Sequence, residues 1–220
     1  MGKIKLFIAN ANRKFTDEEI SLFKSAAEAA EGFISDNFSF DYDVDLVITS
    51  PSFLMNTIPE DGISGRTYNS QLIALVINKQ ETKITEDAVF ETICHEMSHS
   101  LRWEKLDEYA NTLFKTIILE GLATVLEEKA LLETNRQKKQ FFLKEVQNTD
   151  QATINRMIAM LKNSFDDANY DYDRIFYSGD DSLPRWTAYR LGYYFVKQHL
   201  NQSGTTIADA TLASYTKFSS

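Results

Sequence analysis

The chain has 220 residues, a net charge of −9, and 43% hydrophobic against 25% charged residues. That length can bury one core, and the composition is that of an ordinary globular chain. The acidic balance excludes a general nucleic-acid binder, which needs a basic surface to neutralise phosphates.

A single cysteine, Cys94, leaves no internal disulfide to form, so nothing asks for an oxidising compartment. The opening MGKIKLFIAN is basic, but its apolar run is too short for a signal-peptide core. No apolar run approaches the roughly 18 residues of a membrane-spanning helix. The expectation is a cytoplasmic protein with no membrane partner.

Residues 3–9 read as a strand, closed by the turn formers Asn10-Ala11-Asn12. Thr16 stands where a helix cap belongs, with Glu19 three residues on, a capping-box pattern. Ile20, Phe23, Ala27, Ala30 and Ile34 follow at helical spacing, which predicts a helix over 17–35. A second strand is expected at 45–49. Residues 58–65, with Pro59, Gly62 and Gly65, read as loop, and a longer strand is expected at 69–78. From Thr85, a helix cap, the pattern becomes helical: to about Trp103, then roughly 108–131, 136–147, 152–165 and 186–200. Strands mixed with helix, followed by helices alone, predict an α+β fold. The acidic stretch 164–181 reads as a solvated loop; its aspartates lack the spacing and glycine of a calcium loop.

Residues 94–99 contain His-Glu-x-x-His, with His95, Glu96 and His99. On a helix the two histidines lie one turn apart and about 40° around, so two imidazoles can reach one ion. Glu96, about 100° from His95, stands beside that site, where a base could take a proton from an activated water. Val89, Phe90, Ile93, Cys94, Met97 and Leu101 surround the motif, so the helix should be buried. Buried histidines need partners, and a metal is one. Cys94 itself reads as a small apolar core residue.

A hydrolytic zinc site takes three protein ligands and one open position. A third histidine six residues past His99 would mark the metzincin pattern, but residue 105 is Lys and residue 102 is Arg. Glu120 is the best remaining candidate. It is the one acid in an apolar run over 113–126, and a buried carboxylate implies something bound to it. Gly121 beside it would allow the motif helix to approach closely. Glu104 and Glu108 compete, but their place after the turn at Trp103 makes them surface residues.

HEMSHSLRW, then TIILEGLA, then LPRWTAYRLGYYFV resemble a bacterial family of predicted zinc-dependent proteases of unknown function, sometimes called YjaZ-like. The resemblance covers roughly residues 40–200. It implies a gluzincin-type site: one zinc ion held by His95, His99 and Glu120, with Glu96 as general base. It also implies a single zincin-like domain, its strand-containing part over about 1–84 and its helical part over about 85–220. Gluzincins often carry an acid four residues after the third ligand to steady a histidine; here that position is Thr124.

For the oxyanion of the tetrahedral intermediate, the last long helix offers Tyr189 first and Tyr193 second, with Tyr177 on the preceding loop. An aromatic core stripe explains the same spacing. The strand at 69–78 is either an edge strand that pairs with an extended substrate or an ordinary core strand. His199, near the end of the last long helix, reads as a surface residue. The function expected is peptide-bond hydrolysis by a metal-activated water, on a peptide or protein substrate. The alternative is a catalytically silent or single-partner metal-binding regulatory module. Glu96 favours the enzyme, because a binding site alone needs no base.

Overall fold

In the computed structural model, which describes residues 1–51, 57–136 and 139–218, four strands form one sheet. The strands are β1 (Ile4–Ala9), β2 (Val44–Thr49), β3 (Ile63–Asn69) and β4 (Leu72–Ile77), in spatial order β1-β2-β4-β3. β1, β2 and β4 run parallel, and β3 is antiparallel to β4. Leu6, Leu46 and Ile73 share one row across the sheet, and Ile8, Ile48 and Leu75 the next. In β2 Leu46 and Ile48 of those rows are buried, whereas Asp45 is exposed and Val47 half-buried, so one face is the core face.

Two helices cover the sheet: α1 (Asp17–Asn37) and α2 (Glu86–Lys105). The capping box on α1 is formed in full, with Thr16 Oγ1 accepting from Glu19 N and the Glu19 carboxylate accepting from Thr16 N. Thr85 Oγ1 accepts from Ala88 N at the start of α2. α1 packs by a stripe of Phe23, Ala26, Ala27, Ala30, Phe33 and Ile34, with Phe33 edge-on to Phe90 of α2 at 6.4 Å.

The chain divides into two compact units, Met1–Lys105 with Leu126–Phe142, and Leu106–Val125 with Leu143–Ser220. The long helix α3 (Leu113–Glu133) runs through both. In the second unit its first half meets α6 (Thr187–Ser203) at a pair of glycines. A Cβ on Gly121 would overlap the Gly192 carbonyl group, and one on Gly192 would overlap the Ile117 carbonyl. Gly121 therefore serves close contact with α6. Phe114, Phe165 and Phe195 form an aromatic cluster there. Asp150 caps α5 (Gln151–Leu161), and the unit closes with the short α7 (Ile207–Thr211).

The α+β reading holds, with local corrections. Residues 63–65 belong to a strand rather than a loop, and the strand expected at 69–78 is β4 alone. β4 lies inside the sheet; the edge strands are β1 and β3. The reason is compositional: ISGRTYN has no apolar alternation, and its pairing with β4 makes it a strand. Helix α3 begins later than the expected 108, where Thr112 Oγ1 meets Lys115 N. Of the helix expected at 136–147, residues 137–138 lie outside those described. Among the described residues the helical part is α4 (Phe141–Gln147), whose first amides are capped from a distance by Asp61. No helix among the described residues is long and apolar enough to cross a membrane.

Candidate metal centre

Every residue of α2 from Val89 to Arg102 is buried, so the motif helix carries its polar groups into the core. His95 and His99 meet edge-on with ring centroids 5.2 Å apart, and His99 stacks on Trp103 at 5.9 Å. His95 Nδ1 lies 3.0 Å from Glu127 Oε2, on the part of α3 that belongs to the first unit. With Nδ1–H donated to that carboxylate, Nε2 keeps its lone pair for an ion. A histidine held in this tautomer suits a metal ligand.

Glu127 is fully enclosed. Burial pushes its carboxyl pKa up, and the neighbouring His95 pulls it back. Glu91, one turn before His95, is also completely buried. Its pKa is raised well above the ordinary carboxylate range, first by burial and then by the charge of Glu127. The Gln140 amide donates to it at 3.1 Å.

Seven residues along a helix return to within about 20° of the starting direction, so Glu120 and Glu127 share one face of α3. Glu120 is 9% exposed. His95, His99 and Glu120 each offer one ligand atom, and these atoms lie within 4.8 Å of one another. Two imidazoles and a carboxylate are the donor set of a hydrolytic zinc ion. No other group of three metal-ligating side chains occurs among the described residues, the acidic loop over 164–181 included.

The carboxylate behind the first histidine is Glu127, which sequence reasoning passes over. Thr124 spends its hydroxyl on the backbone carbonyl of Glu120, 2.9 Å away. The available signal was the heptad spacing of Glu120 and Glu127 on one helix, with Glu127 just past the apolar run.

Glu96 points toward strand β3. Its Oε2 accepts a hydrogen bond from Thr67 Oγ1 at 2.7 Å. Cys94 is buried as expected, and burial together with the charges of Glu127 and Glu91 raises its thiol pKa. Glu108 accepts from Ser214 Oγ and Tyr215 N.

The tyrosines belong to the second unit. Tyr189 sits edge-on to Phe176 at 5.9 Å, and Tyr193 lies under Lys197. The hydroxyl of Tyr172, in the same unit, feels the charge of Glu120. Burial first, then Glu120, pushes its pKa upward. Tyr172 stacks on Phe176 at 4.4 Å, and Tyr177 packs edge-on against it at 5.7 Å. His199 rests against Phe218.

The chain thus presents a buried His-Glu-x-x-His helix packed on an antiparallel edge strand, with a carboxylate behind its first histidine. The chain belongs to the family described as predicted Zn-dependent protease (DUF2268), whose model matches residues 22–220. No curated protein and no solved structure matches it.

Proposed function

We propose that this chain is a zinc peptidase of gluzincin type that cleaves an extended peptide or protein substrate in the cytoplasm. The observation that carries the reading is the pairing of His95 Nδ1 with the buried Glu127, which leaves the other ring nitrogen as a ligand. The grouping of His95, His99 and Glu120 around one point supports a single ion.

A bound zinc ion would lower the pKa of a water and polarise the scissile carbonyl. The remaining work falls to side chains. Glu96 takes the proton from the attacking water and returns it to the leaving amine. Glu127 holds the His95 ring in the ligand tautomer and supports its basicity. Tyr189 or Tyr193 serves as oxyanion donor, with Tyr172 and Tyr177 the competing hydroxyls. The outer side of β3 offers unpaired backbone groups to an extended substrate. Among the described residues its only partner on that side is the single bridge between Ile58 and Ile63.

Glu96→Gln separates base from ligand. It should retain zinc at the wild-type stoichiometry and lose at least about a hundredfold in kcat on a quenched-fluorescence peptide library. Loss of zinc in that variant would make Glu96 a ligand or a structural support and would overturn its role as base.

A further inference from the structure

We infer that the edge strand β3 is the template that holds the general base: Thr67 anchors the Glu96 carboxylate, and Gly65 leaves the space in which it lies. The inference rests on the reading of Glu96 as base.

In β3, Ile63, Gly65 and Thr67 share one face by the two-residue period of a strand, and Ile63 and Thr67 are buried. That face packs on α2. Thr67 Oγ1 lies 2.7 Å from Glu96 Oε2 and 2.9 Å from the Glu96 carbonyl oxygen. A hydroxyl carries one proton, and the charged acceptor at the shorter distance takes it. Two positions earlier, a Cβ on Gly65 would come within 2.5 Å of both Cγ and Oε1 of Glu96. Any side chain there would displace the carboxylate. The strand thus fixes one oxygen by a hydrogen bond and makes room for the other by omission. Thr67 is a positioning residue: it touches the base and not the reacting atoms. Its effect is on geometry, because a base misplaced by about 1 Å loses on the order of a hundredfold in rate.

The contact is tested without a substrate by a thermal-unfolding cycle on the full chain, Gly65→Ala with and without Glu96→Ala. Gly65→Ala should lower Tm by about 4 °C or more in the wild-type background. With the Glu96 side chain removed, the same change should cost little. Equal cost in both backgrounds would overturn the cradle. The positioning role is then read on the zinc-loaded enzyme with a quenched-fluorescence peptide. Thr67→Val should lower kcat about tenfold or more with KM and zinc affinity unchanged, and Thr67→Ser should restore it. A Thr67→Val enzyme with wild-type kcat, or a Thr67→Ser enzyme as slow as Thr67→Val, would overturn the anchor. If the wild type binds zinc but cleaves no peptide, the peptidase reading fails, whereas the thermal cycle still decides whether β3 holds Glu96.

Discussion

Helices α1 and α2 lie side by side in the same unit, with 21 and 20 residues, yet they bury different things. α1 buries an apolar stripe and leaves most of its acids exposed, which is the ordinary economy of an amphipathic helix. α2 is buried from Val89 to Arg102 and takes Glu91, His95, Glu96, Ser98, His99, Ser100 and Arg102 with it. Buried polar groups cost stability unless each is answered by a partner. Around α2 those partners come from elsewhere in the chain: Glu127 for His95, Thr67 for Glu96, Tyr42 and the Ser70 carbonyl for Ser100, and the Gln140 amide for Glu91. The contrast distinguishes a helix that buries only apolar groups from one that buries polar groups with distant partners.

Three substitutions sharpen that contrast. The largest effect should come from the stabilising helix: Phe23→Ala, removing a 1%-exposed ring that meets Phe15 edge-on, should cost about 3–5 kcal/mol in chemical denaturation. Zinc affinity of the folded fraction should not change; a large loss would mean that α1 is also part of the site's support. Next, Glu127→Gln should weaken zinc binding by about tenfold or more, read by competition with a chelator, with little change in far-UV circular dichroism. Unchanged affinity would leave the carboxylate behind His95 without a role in metal binding.

The smallest effect is a slope. Glu91 keeps its proton in the folded chain above the pH at which the unfolded chain, near the ordinary value of 4.5, has lost it. Raising the pH from about 4.5 toward the folded pKa therefore favours unfolding, because the native state binds the extra proton. Zinc-free protein should lose stability across that window, and Glu91→Gln should show a flatter profile. Parallel profiles would remove the protonated buried acid from the account.

Much of this was legible in the sequence because it is local. The capping box at Thr16 and Glu19, the apolar stripe of α1 and the His95-Glu96-His99 spacing all lie within a turn or two of helix. Glu120 was visible as an acid in an apolar run. What escaped depends on distant partners. Strand β3 contains Gly65, Arg66 and Asn69, and it is a strand because β4 pairs with it. Thr67 reaches Glu96 across 29 positions, and Glu127 reaches His95 across 32. Looking four residues past Glu120 finds Thr124, whose hydroxyl is committed to its own helix; the next position on the same face is Glu127.

The central claim is that α2 and α3 together hold one zinc ion through His95, His99 and Glu120. The most direct measurement is the metal content of the purified protein by mass spectrometry, beside Glu120→Ala dialysed against the same chelator. The account predicts one zinc per wild-type chain and its loss from the variant, which stays folded. Wild-type protein that carries no stoichiometric zinc, or a variant that holds it as tightly as wild type, would contradict it.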